Sequence, residues 1–363
     1  MNASAESGIR ILYFYTRNAT FIRKDLEMLR SRHEVLECPF PDPEKWKTPM
    51  LFLRQFFFLL RHSLKIRPQL VMVQFAGYHS FLPCLWARLL GWKSIIVAGG
   101  TDCVAFPSLS YGHFQNPLLA MFTRWSYGLC HVVSAVHGSL FFRDNAYAGA
   151  SESKQGILHF MPEADFEKNV IFNGFDTSVF KITSGWEQRP DKSYITIAAS
   201  LTDPVRLRLK GIDMVLKLAE EMPEATFTLV GSDKPSKQAL PSNVELMPWV
   251  PNQELPALYN RHRYYLQLSM SEGFPNALCE AMACGCVPVV SEVASMPEIA
   301  AGLGGIATRR NPDSVRKAVE EAIGKSGAPG HAQRVAKSVE ERYSWEKRRS
   351  ELLNLISRIA ESL

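Results

Sequence analysis

A chain of 363 residues exceeds one typical core and suffices for two domains of roughly 150 to 200 residues each. A hydrophobic content of 46% with 21% charged residues excludes a disordered or fibrous chain. The net charge of +5 sits wholly in the first half: residues 1–190 carry 20 Lys and Arg against 15 Asp and Glu, whereas residues 191–363 carry 21 of each, so an anionic partner is expected on the N-terminal half.

Short β-rich runs alternate with helical patterns along the chain, the signature of parallel sheets covered by helices. In the first half the pattern predicts strands at 9–15, 35–38, 71–75, 94–97 and 132–134 and helices at 20–32, 82–90 and 117–128, with 171–172 as the closing strand. Residues 1–8 are polar and the apolar run 9–15 is too short for a signal segment, so a cytoplasmic location is expected. Residues 51–67 form a Phe- and Leu-rich segment with Arg54, Arg61 and Lys65 near one helical face. That pattern suits either an ordinary covering helix or peripheral contact with an anionic membrane. The uncharged stretch 70–87 contains Gln74, Gly77, His79, Ser80 and Pro83, and reads as strand, loop and helix rather than a membrane span.

The polar segment 183–192, with Gly185 and Pro190, is the expected linker. A second series follows, with strands at 194–198, 226–230, 244–246, 264–268 and 287–290 and helices at 211–221, 253–261, 276–284 and 312–323. A helical pattern over 343–363 ends the sequence. Two doubly wound halves place a ligand at the C-terminal ends of their strands. The seven cysteines are odd in number and scattered, which fits a reducing compartment, and Cys284-Gly285-Cys286 reads as buried thiols rather than a metal site.

The chemistry concentrates in Ser271-Glu272-Gly273-Phe274-Pro275-Asn276-Ala277-Leu278-Cys279-Glu280, where a strand ends, a Gly/Pro turn follows and a helix opens near Asn276. Backbone N–H groups at that helix start can hold phosphate or sugar oxygens. Glu280, one turn in, leans back toward the same space, which Glu272 faces from the turn. This string resembles the Glu-x7-Glu motif of glycosyltransferase family 4, a retaining family of GT-B fold. The resemblance implies an α/β protein with two Rossmann-like doubly wound domains facing a central cleft: 1–185 for the acceptor, 186–342 for the nucleotide sugar, and 343–363 as a terminal helix crossing back to the first domain.

By the same resemblance, Glu272 lies beside the transferred sugar and Glu280 binds the nucleotide ribose, with Gly273, Phe274, Pro275, Asn276, Ala277 and Leu278 lining the donor. Lys210-Gly211 resembles the family's Lys-Gly element, whose lysine holds the donor diphosphate. Where relatives carry an Arg in a Gly-Arg-Leu string, this chain has Ala199-Ser200-Leu201. Arg206 or Arg208 would substitute, Arg206 being preferred. Val230-Gly231-Ser232 and Pro248-Trp249-Val250-Pro251 resemble the loops bordering the base, which makes Gly231, Trp249 and Val250 donor contacts. Asn173-Gly174-Phe175-Asp176 is similar to the turn ending the first domain. Asp102 occupies the position where a His-Asp pair approaches the reacting sugar, with His79 and His113 as stand-ins for the histidine.

The implied activity is retaining, metal-independent transfer of a sugar from a nucleotide sugar to a hydroxyl acceptor, whether saccharide, lipid-linked saccharide or small molecule. No cofactor is expected beyond the nucleotide-sugar co-substrate and no nucleic acid partner is implied. The chain contains no Asp-x-Asp that would bring a metal clamp. Two other readings share the fold: a nucleotide-sugar epimerase, and a non-catalytic subunit that binds nucleotide sugar. A nicotinamide dehydrogenase is disfavoured because neither half opens with Gly-x-Gly-x-x-Gly.

Overall fold

In a computed structural model, which describes residues 8–41, 45–198, 203–231 and 240–362, the chain forms two compact units. The first runs to Phe142 and includes Gln155–Asn173 and Glu346–Leu363; the second comprises Arg143–Lys154 and Gly174–Trp345.

The first unit is built on strands β1 (Arg10–Tyr15), β2 (Glu34–Pro39), β3 (Leu70–Gln74), β4 (Lys93–Ala98), β5 (Val132–Ala135) and β6 (Glu167–Val170), in spatial order β2-β1-β3-β4-β5-β6. All pairs are parallel, with Leu12 opposite Val71 and Ile95 opposite Val132. Every residue of β3 is buried, as a strand covered on both faces requires. The edge strand is Glu167–Val170 rather than the expected 171–172, because its Glu-Lys-Asn side chains conceal it from a hydrophobic pattern. The expected pair lies just beyond, where the Ile171 N–H still donates to Ala135 O at 3.0 Å.

Helices α1 (Thr20–Arg30), α2 (Thr48–Lys65), α3 (Tyr78–Leu90) and α4 (Pro117–Leu129) belong to this unit. α3 begins a full turn earlier than predicted and carries Pro83 inside it. Proline cannot donate to the carbonyl four residues back. That carbonyl, of His79, instead accepts from the buried Gln55 side chain of α2 at 2.7 Å, so the helix continues through the proline.

The second unit has strands β7 (Ser193–Ile197), β8 (Thr226–Val230), β9 (Val244–Met247), β10 (Tyr264–Gln267), β11 (Val287–Ser291) and β12 (Gly305–Ala307), in parallel order β9-β8-β7-β10-β11-β12. Its helices are α5 (Pro204–Leu209), α6 (Ile212–Glu221), α7 (Leu255–Tyr259), α8 (Asn276–Ala283), α9 (Met296–Ala300), α10 (Pro312–Ser326) and α11 (His331–Tyr343), and α12 (Trp345–Ala360) follows. β7 and β10 are neighbours whose chains leave toward opposite sheet edges. The crevice beyond their carboxyl ends is the topological switch point at which open α/β sheets bind ligands.

The predicted linker 183–192 is fastened to the second unit. Arg189 is buried and donates to Cys284 O at 2.8 Å, Asn260 Oδ1 at 3.0 Å and His262 O at 3.0 Å. Its polar character reflects an internal hydrogen-bond hub, and the chain changes units at Asn173–Gly174 instead. Residues 346–363 belong to the first unit through Arg348, whose guanidinium pairs with both oxygens of Asp25 at 2.8 and 2.7 Å. Arg143–Lys154, by contrast, is contributed to the second unit from the middle of the first, which the sequence does not suggest.

Candidate active site

Two loops meet at the switch point of the second unit. One leads from β7 through α5 to Lys210, and the other leaves β10 through Leu268 to Pro275. Met270 N–H donates to Leu209 O at 2.8 Å, joining them. Gly211 takes φ +69°, and a Cβ there would lie 2.0 Å from Leu268 O. Only glycine lets the backbone press so closely on the end of β10, and this approach carries Lys210 to the second loop. The Lys210 ammonium reaches Glu272 Oε1 at 2.7 Å, and Gln267 Nε2 donates to the same oxygen at 2.9 Å. Glu272 is only 10% exposed, Lys210 35%.

Beyond Glu272 the chain turns at Gly273 and enters α8, whose start has no side-chain cap. The Asn276 and Leu278 N–H groups bond to Phe274 O and Pro275 O at 3.0 and 3.1 Å, and the positive end of the helix dipole there favours an anion. One turn in, Glu280 accepts from Asn252 Nδ2 at 3.2 Å and Tyr259 OH at 3.4 Å. Burial drives its carboxyl above the usual range, and these two hydrogen bonds only partly oppose that. Burial, with smaller contributions from the Glu272 and Glu280 charges, holds the Tyr265 phenol of β10 well above its usual range.

The remaining expected residues divide. Trp249 is 71% exposed, so its ring is available for stacking, and the Gly231 N–H donates to Met247 O at 3.0 Å at the end of β8. Val250 is half-buried and leads to Asn252, the Glu280 partner that the sequence did not suggest. Asn276 and Ala277 are half-buried at the helix start, while Gly273 and Pro275 are buried in the turn. Phe274 is packed between Phe175 (6.1 Å between ring centres) and Tyr343 (5.3 Å), and Leu278 is fully buried. Both side chains therefore hold the turn from behind rather than line a ligand. Arg206 is exposed and pairs with Asp203 at 3.7 Å; Arg208 is also exposed. Ala199-Ser200-Leu201 and Ser232 lie outside the described residues.

Asp102 is fully buried in the first unit. Its carboxylate accepts from Tyr127 OH (2.7 Å), Ala76 N–H (3.0 Å) and Gly100 N–H (3.0 Å), tying together the loops after β3 and β4. This geometry gives it a structural task in place of the expected approach to sugar. His79 Nε2 donates to Gln74 O at 2.9 Å, and His113 Nδ1 lies 3.4 Å from Thr123 Oγ1.

The largest omission of the sequence reading is a buried row from Arg143–Lys154. Arg143 donates to Glu272 O and Ser271 Oγ, each at 3.1 Å; Asn145 Nδ2 donates to Met270 O at 3.2 Å; Tyr147 OH donates to Leu268 O at 3.3 Å. Residues 143, 145 and 147 thus grip alternate positions of the 268–272 segment, running in the opposite direction. The trace in sequence is a period of two, Arg-x-Asn-x-Tyr, in a stretch with no apolar alternation to draw attention.

Residues 194–325, which include Lys210, Glu272 and Glu280, match the family model described as glycosyl transferases group 1. The chain is also similar in structure to sucrose-phosphate synthase from Thermosynechococcus elongatus, with a TM-score of 0.72 at 12% identity over 98% of this chain and 100% of that one. This chain has the GT-B fold. The same fold appears in Anabaena HepE, solved in complex with UDP-glucose, at a TM-score of 0.68 and 13% identity over 96% of this chain and 100% of that one. In sequence, the GT-B chain is 27% identical over 209 residues to one of the subunits of phosphatidylinositol N-acetylglucosaminyltransferase from Arabidopsis thaliana. That match covers 54% of this chain and 45% of the relative, less than half of the relative's own length.

Proposed function

We propose that the protein is a retaining glycosyltransferase that moves a sugar from a nucleotide sugar to a hydroxyl acceptor without a metal ion. The observation that carries the reading is the Lys210–Glu272 pair, 2.7 Å apart at a topological switch point beside an uncapped helix start. A nucleoside diphosphate seated there would meet the ammonium and the positive end of the α8 dipole through its phosphates, the Glu280 carboxylate through its ribose, and the exposed Trp249 ring through its base. Glu272 would then face the transferred sugar.

Departure of the diphosphate leaves negative charge that an amine can neutralise. At about 4 Å and an effective dielectric near 20, that is worth on the order of 4 kcal/mol, or about three decades in rate if felt only in the transition state. The leaving phosphate takes the acceptor proton, so no side chain acts as nucleophile and the anomeric configuration is kept. The name of the plant relative, which contains phosphatidylinositol, supports a lipid-borne hydroxyl among the acceptor classes.

A thermal-shift screen across nucleotide sugars identifies the donor, because a ligand that binds only the native state raises the melting temperature. With that donor, Lys210→Ala is expected to lose about a thousandfold in turnover at an unchanged melting temperature. Wild-type turnover in this variant would overturn the assignment. Proton NMR of the product reports the anomeric configuration, and turnover undiminished by a chelator tests the absence of a metal.

A further inference from the structure

Helix α2 is apolar on two opposite faces, and the fold uses one of them. Leu51, Gln55 and Leu59 point inward and are buried. On the other side Met50, Leu53, Phe57, Leu60 and Leu64 are 58%, 51%, 58%, 42% and 76% exposed, preceded by Trp46 at 76%. Their spacing of three and four residues sets them in one arc of about 80° at 3.6 residues per turn. Lys47, Arg54, Arg61 and Lys65, all exposed, run beside this stripe along one flank.

The stripe has neighbours. Aromatic contacts run unbroken from Phe52 of α2 through Phe122 (5.0 Å) to Trp125 of α4 (5.3 Å), with Phe81 of α3 packed on Trp125 at 5.3 Å. Trp125 and Leu118 of α4 are 46% and 53% exposed, and Leu89 and Leu90 at the end of α3 are exposed as well. A cleft of about 560 Å³ opens here, lined by Phe81, Arg124, Trp125, Gly128 and Leu129. Between Glu44 and Asp144 the only carboxylate is the buried Asp102, so α2, α3 and α4 present Arg54, Arg61, Lys65, Arg88 and Arg124 without one acidic side chain.

We infer that the α2–α3–α4 face of the first unit docks on an anionic lipid bilayer. Exposed Leu, Phe and Trp enter the boundary between headgroups and acyl chains, and the flanking guanidinium and ammonium groups meet lipid phosphates. Among the described residues no helix is long and apolar enough to cross a membrane, so the face lies on the bilayer instead of spanning it. The inference rests on the first unit alone and stands or falls independently of sugar transfer.

The test is co-sedimentation of the full chain with vesicles of phosphatidylcholine, with and without about 30 mol% phosphatidylglycerol, at about 50 mM and about 500 mM salt. Expected are at least about tenfold tighter partitioning to the anionic vesicles at low salt and a fall of similar size at high salt. The double variant Phe57→Glu/Leu60→Glu should lose at least about tenfold in partitioning while melting like wild type, since both side chains are exposed. Arg54→Gln/Arg61→Gln/Lys65→Gln should lose the preference for anionic lipid. Wild-type protein that stays in the supernatant with anionic vesicles, or a Glu variant that pellets equally, overturns the proposal. So does a wild-type dimer that the Glu variant converts to monomer with no vesicle binding by either, which would make the face a contact between two copies of the chain.

Discussion

Glu280 is a carboxylic acid whose burial outweighs the hydrogen bonds from Asn252 and Tyr259, so its folded-state pKa is raised. Between the ordinary carboxylate value and that raised value, the native state binds more protons than the unfolded chain. Stability therefore declines as pH rises through this window. Glu280→Gln should remove the decline, measured as the urea midpoint from pH 4 to 7, and should weaken nucleotide binding by roughly ten- to a hundredfold through loss of a charged hydrogen bond. A variant with the wild-type pH profile would show that Glu280 is not the group that titrates. Arg143 works on a neighbouring residue instead of on a ligand, since it holds Glu272 O and Ser271 Oγ. Arg143→Ala is expected to lower kcat by roughly ten- to a hundredfold through misplacement of Glu272, with donor affinity changed by less than about threefold and partial rescue by Arg143→Lys. An equal loss in affinity would make it a donor contact.

At the scale of elements, one glycine joins the two loops of the site. Because Gly211 has φ +69° and no room for a Cβ against Leu268 O, Gly211→Ala must move Lys210 away from Glu272 or strain the backbone. The expected cost is about 1–3 kcal/mol in stability, read by urea denaturation, together with a loss of turnover. A fully stable and active variant would refute this account of the Lys-Gly pair. The same helices and strands show what a sequence displays and conceals. β8 coincides with its predicted bounds because Thr-Phe-Thr-Leu-Val alternates cleanly. β12 escapes the pattern because it is three residues long and begins with a glycine pressed against Ala318 O. α11 escapes it because its buried stripe, His331, Ala332, Val335, Val339 and Tyr343, has few large aliphatic side chains and is set among charges.

For the molecule as a whole, the C-terminal segment is tied to the first unit by a buried pair. Arg348 and Asp25 are 5% and 0% exposed, and Tyr13 OH lies 3.5 Å from Asp25 Oδ2. Asp25→Ala leaves a buried guanidinium without its partner, and the expected loss is about 3–5 kcal/mol. Replacing both, as Asp25→Leu/Arg348→Met, should recover much of it, because the ion pair's desolvation cost then disappears as well. A loss below about 1 kcal/mol in the single variant would mean that the pair carries no such burden.

The sequence by itself determined the two doubly wound halves and the acid and lysine motifs, since periodicity and short motifs record what lies within a few residues along the chain. It could not separate a polar linker from the Arg189 hub, a catalytic Asp102 from one spent on two loops, or a substrate-lining Phe274 from one wedged between Phe175 and Tyr343. Nor could it place residues 143–147 against 268–272, over 120 positions away. In each case the chemistry of a polar or aromatic side chain is fixed by what it meets in space, and only the folded chain supplies those partners.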